Sequence, residues 1–213
     1  MKSQFLPVLT CTVSALAISA MLGGVSFAQA PAAPAAPGAP GAPATAAAPA
    51  EKPKPLAAAD DTYVKNAVHG LSYLIAMAKT LPEATDKTKP EARLRDTTVK
   101  DLTAAQKALD KVIEAHGIKV STELVGNDKM DVDRVTKGFA KTNLPEALKN
   151  KPLLDWTAEM LKESKRLDRE TETIGKQGQD ADLKSFATNY GPSVRNVFTT
   201  AESLDKSLKT KKK

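Results

Sequence analysis

The stretch PLLDWTAEMLKESKRLDRETETI, residues 152–174, decides the fold. Leu153, Met160, Leu167 and Ile174 recur every seven residues, with Trp156 between the first two, while Lys, Arg and Glu cover the remaining positions. That is one narrow apolar stripe along a long helix, and such a stripe needs partner helices to bury it. Pro152 sits where a first helical turn tolerates a residue without an N–H, so it fixes where this helix begins.

Three further segments carry a matching period. The first predicted helix runs from about Asp61 to Lys79, with Asp60 or Asp61 as N-cap and Pro82 just beyond its end. Its buried face is Val64, Ala67, Val68, Leu71, Leu74, Ile75 and Ala78. The second opens on Thr88-Lys89-Pro90-Glu91, a capping-box spacing, and ends at Gly117 as a left-handed C-cap; Leu94, Val99, Leu102, Ala105, Leu109, Val112 and Ile113 face inward. The fourth begins near Asp180 or Asp182 and carries Leu183, Phe186, Ala187, Val194, Val197, Ala201 and Leu204. Gly191-Pro192 should kink or break it, because proline removes a donor and crowds the preceding turn.

The connections choose the topology. Short loops join the first helix to the second and the third to the fourth, which suits antiparallel neighbours, whereas residues 118–151 are too long for a hairpin loop. The expected fold class is therefore all-α, a ferritin-like four-helix bundle over residues 59–209 with a long crossover between helices two and three. Val132, Val135 and Phe139 place a short helix inside that crossover.

Upstream of the bundle the composition changes. Residues 1–30 read as a secretory signal peptide: Lys2, an apolar run from Phe5 to Leu22, then Ala28-Gln29-Ala30 as an A-x-A cleavage site. The run is long enough to span a bilayer, but Pro7, Thr10, Thr12, Ser14 and Ser19 argue against an uncleaved anchor. Residues 31–58 form a Pro/Ala-rich linker that holds eight of the fourteen prolines and favours an extended polyproline-II-like chain. It serves as a spacer or is simply an exported tail. The only cysteine, Cys11, lies in the signal, so the processed chain has no thiol chemistry.

The net charge of +6 comes entirely from Lys2 and the five lysines of residues 206–213; the chain between is neutral overall. The bundle faces therefore give no reason to expect nucleic acid. Lys206, Lys209, Lys211, Lys212 and Lys213 could contact a polyanion such as anionic lipid or a wall polymer, or simply complement a helix C-terminus, the last four residues, 210–213, forming a basic tail. No aromatic is interleaved to stack on bases.

No catalytic, cofactor or metal site is expected. A di-metal bundle needs carboxylates joined by Glu-x-x-His pairs, yet Asn66 and Ile113 precede His69 and His116 by three. His69 falls opposite the apolar stripe, on the solvent side, and His116 lies in a last helical turn, where imidazolium favours the dipole. No inward stripe position is expected to hold Asp or Glu. Asp128, Asp131 and Asp133 lack calcium-loop spacing and read as a capping cluster, as do Asp180 and Asp182. No Gly-rich phosphate loop, G-x-S-x-G elbow or Cys/His nucleophile pairing occurs.

Four stretches carry a family resemblance: TYVKNAV from Thr62, VKDLTAAQKALDKVIEAHGIKV from Val99, LLDWTAEMLKESKRL from Leu153 and DADLKSFATNYGPSVRNVFTTAESL from Asp180. Together they resemble the bacterial envelope family catalogued as domain of unknown function 4142. The resemblance implies an exported, ferritin-like four-helix bundle. It also marks a departure, since the family's histidines correspond here to Leu102, Ser164 and Val197, with only Asp101 kept. The functional expectation is a periplasmic or exported envelope module that binds or buffers an envelope component (membrane surface, cell wall or protein) without enzymatic activity. The alternative is a ferritin-like metal-binding or redox protein with a carboxylate-only site.

Cleavage after Ala30 is directly testable. Intact-mass analysis of the protein from its native envelope should give Pro31 as the first residue, whereas a full-length species retained in washed membranes would establish an anchor instead.

Overall fold

The computed structural model describes residues 54–141, 143–145 and 148–210; the expected signal peptide, most of the linker and the last three lysines lie outside them. The described chain is all-α and holds five helices: α1 Ala58–Thr80, α2 Pro90–His116, α3 Gly126–Phe139, α4 Lys151–Gln177 and α5 Ala181–Thr210. Four are long, and the fifth, α3, is the short helix of the crossover. Among the described residues no helix is long and apolar enough to cross a membrane.

The stripes pack as their spacing requires. Trp156, Met160, Leu167 and Ile174 of α4 are buried, Leu153 is half-buried, and they meet Val64, Val68, Leu71 and Leu74 of α1. Leu94, Leu102, Ala105 and Leu109 of α2 join Leu183, Val194, Val197 and Leu204 of α5 in the same core. In cross-section α1 touches α2 and α4, and α5 touches α2 and α4, so the long helices form a closed ring with α3 laid across α1 and α4.

Two hydrogen bonds set the directions. The indole N–H of Trp156, near the start of α4, donates to the carbonyl of Met77 near the end of α1, at 2.8 Å. At the other end Asp60 Oδ2 accepts the N–H groups of Gln179 (3.0 Å) and Asp180 (2.8 Å) in the turn between α4 and α5. Helix α1 therefore runs antiparallel to α4. His116, closing α2, also lies against Asp180, so α2 and α4 run parallel and the crossover must span the length of the bundle.

Gly70 leaves room for the Glu163–Arg166 pair of α4 against α1. A Cβ there would stand 2.6 Å from Glu163 Oε1 and 2.7 Å from Arg166 Nη2, whereas with glycine Arg166 reaches the Asn66 carbonyl at 3.2 Å. Gly117 closes α2 at φ 64°, and Ile118 N–H returns to the Ile113 carbonyl at 3.0 Å, the expected left-handed cap.

Several local expectations are corrected. Neither Asp60 nor Asp61 caps α1; Ala57 holds that position, and Asp60 spends its carboxylate on the distant α4–α5 turn. Thr88 does not cap α2, because Asp86 Oδ1 takes both its N–H and its hydroxyl. Helix α5 passes through Pro192 without a break. Asp128, Asp131 and Asp133 make no cap; they lie within α3 and pair with His69, Arg134 and Lys129. Carboxylates do face inward: Asp60, Asp168 and Asp205 are buried, the latter two against Arg195 and Lys209.

Trp156→Ala should cost about 3–5 kcal/mol, since a wholly buried indole leaves a cavity that four helices cannot close. Urea unfolding checks it, with Trp156→Phe as a milder variant that loses mainly the bond to Met77; equal costs would mean that the hydrogen bond, not volume, dominates.

Candidate functional site

The crossover creates a cleft. Helix α3 buries Val135 against the bundle and half-buries Val132 and Phe139, which anchors one of its faces. A second face, Met130, Arg134 and Lys137, continues to Lys141 at steps of four, three and four residues and looks across at the chain leading into α4. Between them lies a cavity of about 690 Å³ whose floor is Met130, Val135, Leu144, Leu148 and Pro152. Met130 is 67% exposed and Leu148 44%, and both line this one cavity.

The rim is charged and mostly basic. Lys137, Lys141, Lys151 and Arg134 border the cavity, with Asp133 and Asp155 as the acids. Asp133 is engaged by Lys129 and Asp155 by Lys151 at 3.0 Å, which leaves the lysines of α3 and its C-terminal extension to set the local potential. Arg134 is structural: its Nη2 lies 2.9 Å from both Asp131 Oδ1 and Glu159 Oε1. Tyr73 of α1 donates to the other oxygen of Glu159 at 3.2 Å, so one carboxylate ties α1, α3 and α4 together beneath the cleft. Burial of the phenol, then the Glu159 charge, hold the Tyr73 pKa well above its usual range.

The lysines singled out from sequence are divided. Lys206 pairs with Glu202 at 3.1 Å and Lys209 with the buried Asp205 at 2.7 Å, while Lys211, Lys212 and Lys213 lie outside the described residues. The structure does not bring Lys206 and Lys209 into the cleft lining. His69 is only half-exposed and contacts Asp128 of α3, rather than standing free in solvent. His116 does close α2, but its side chain is 10% exposed and lies between the Lys54 carbonyl and Asp180.

Sequence reasoning missed the cleft. The available signal was Met130, an apolar residue off the Val132–Val135–Phe139 stripe, with Arg134 and Lys137 completing its own helical face. Leu102, Ser164 and Val197 are all fully buried, so those positions are filled. Compared with protein-family models, with curated proteins and with solved structures, the chain gives no match.

The link under the cleft has a measurable signature. A phenol whose folded pKa is raised adds no pH dependence below its ordinary value near 10 and disfavours the folded state as pH rises beyond it. Glu159→Gln should therefore bring Tyr73 ionisation down in an alkaline absorbance titration at 295 nm, without reaching the value of the unfolded chain, because burial still acts on it.

Proposed function

We propose that this chain is an exported, non-enzymatic binding module of the bacterial cell envelope, and that its ligand is an anionic amphiphile taken up in the cleft beside α3. The carrying observation is the cleft itself. An apolar floor with exposed Met130 and Leu148 accommodates a hydrocarbon portion, and the rim lysines Lys137 and Lys141 suit an anionic head. Its volume is in the range of small-ligand sites. The described lining residues offer apolar contact and charge.

The export reading rests on residues 1–30, and the finer fold reading, a ferritin-like bundle like that of the domain of unknown function 4142 family, is proposed with it. Parallel α2 and α4 joined by one long crossover support that reading. The carboxylate-only metal alternative gains little from the inward acids. Asp168 and Asp205 each face a cation, Asp60 receives two backbone N–H groups, and among the described residues none of the three belongs to a group of side chains close enough to share an ion.

The anionic apolar dye 1-anilinonaphthalene-8-sulfonate tests the cleft. Folded protein should bind it saturably, with blue-shifted emission, and Met130→Asp or Leu148→Asp should weaken binding about tenfold or more, equivalent to roughly 1.4 kcal/mol. Lys137→Glu with Lys141→Glu should do the same while leaving the circular dichroism unchanged. Saturable binding untouched by all these variants would move the site elsewhere and sink the reading.

A further inference from the structure

At the end of the bundle remote from the cleft, His116 is held in one orientation. Its Nδ1 lies 2.7 Å from the backbone carbonyl of Lys54. A carbonyl only accepts, so Nδ1 carries the hydrogen and donates it. In the neutral ring Nε2 is then a bare lone pair, on a side chain nine-tenths buried, facing Asp180 Oδ2 at 3.2 Å. Two acceptors have no reason to meet unless something positive joins them: a proton on the ring, or a cation.

The surroundings favour a cation-binding geometry. Asp180 is the cap of α5, its Oδ1 accepting the N–H groups of Asp182 and Leu183 at 3.0 Å each, which fixes the carboxylate and presents Oδ2 to the imidazole. Asp182, in the first turn of α5, adds a third donor, and one ligand atom from each of His116, Asp180 and Asp182 lies within 4.8 Å of the others. The Asp182 carboxylate is exposed and has no hydrogen bond or ion pair among the described residues, so it can close the remaining distance by rotation. A separation of 3.2 Å is close to the chord of two metal–ligand bonds of about 2.0–2.1 Å near the tetrahedral angle. A ligating imidazole whose other nitrogen donates to a backbone carbonyl is also the usual arrangement around protein-bound zinc.

We propose that His116 Nε2, Asp180 and Asp182 bind one divalent transition ion, with Zn²⁺ the best match to one imidazole and two carboxylates. The two aspartates and a neutral imidazole balance its charge. Such an ion would clip the end of α2 to the start of α5, and through Lys54 would hold the chain entering α1. With three protein ligands, a fourth position is left to water or an external donor.

The test uses tag-free full-length or processed chain titrated with ZnCl₂ by calorimetry, and with CoCl₂ as a spectroscopic probe. One ion per chain, an intense tetrahedral Co²⁺ absorption and a higher melting temperature with Zn²⁺ are expected. Asp182→Asn touches no fold contact and should weaken binding at least tenfold; His116→Gln should abolish the cobalt spectrum. Retained binding in both variants would overturn the site. So would ¹⁵N shifts showing His116 Nε2 still protonated under saturating Zn²⁺, the signature of a plain imidazolium–carboxylate pair. Dye binding in the cleft is independent of either variant, so failure here leaves that reading standing.

Discussion

The antiparallel lock between α1 and α4 is the constraint on which the remaining architecture depends. At one end Trp156 gives its indole N–H to the Met77 carbonyl, one of the last carbonyls of α1 and without a continuing helix to serve it. At the other end Asp60 takes the N–H groups that open the α4–α5 turn. With α1 antiparallel to α2 and to α4, the chain leaving α2 finishes at the wrong end to begin α4 and must travel back along the bundle. That return path is residues 117–150, and part of it becomes α3 because Val132, Val135 and Phe139 supply an apolar face for the groove between α1 and α4. The cleft is thus a consequence of helix direction. A bundle of simple up-and-down hairpins would have no segment from which to build it.

Charged groups near the core are tolerated because each has a specific partner. Moving a lone carboxylate out of water costs several kcal/mol, more than a single surface pair returns. Asp168 meets Arg195 at 3.1 Å, Arg95 gives one N–H to the Pro82 carbonyl and another to Asp96, and Arg166 holds both Glu163 and Glu170 while capping the Asn66 carbonyl. Of these, Asp168 with Arg195 joins α4 to α5 and Arg166 with the Asn66 carbonyl joins α4 to α1, whereas the others lie within one helix or reach its flanking loop. Asp60, buried to 1%, and Glu170 each keep one buried carboxylate oxygen, Oδ1 and Oε2, without a partner among the described residues. The two backbone contacts of Asp60 explain why a carboxylate occupies that position.

What was legible in the sequence was what depends on near neighbours. Seven-residue spacing in α4, the buried faces of α1, α2 and α5, the Gly117 cap and the crossover helix all follow from residues within a few turns of one another. What was missed depends on distant partners. Asp60 had the residue type and position of an N-cap, and only the folded chain brings Gln179 and Asp180 close enough to win its carboxylate. Thr88 matched a capping box, yet Asp86, two residues away, competed for the same groups. Pro192 lies on the exposed side of α5, where the missing N–H disturbs no core contact, and the helix continues. Both candidate sites belong to this second class: Met130 and Leu148 meet only across the cleft, and His116 meets Asp180 only because α4 runs parallel to α2 and ends beside it.

Helix direction also distributes the sites. Chain entering at Lys54 arrives where α1 and α5 begin and α2 and α4 end, and His116, Asp180 and Asp182 gather there. Helix α5 finishes at the opposite end, so Lys206 and Lys209 stand at the end of the bundle where α4 begins and where Pro152 and Asp155 border the cleft. On the proposed reading, the ligand-binding cleft lies at the end of the bundle opposite Lys54 and His116. A bundle without net charge offers little long-range attraction, so the rim lysines Lys137 and Lys141 supply the local steering of an anionic partner. Because the rim lysines are exposed, that steering is screened beyond about 8 Å at physiological ionic strength, and affinity must come mainly from the apolar floor.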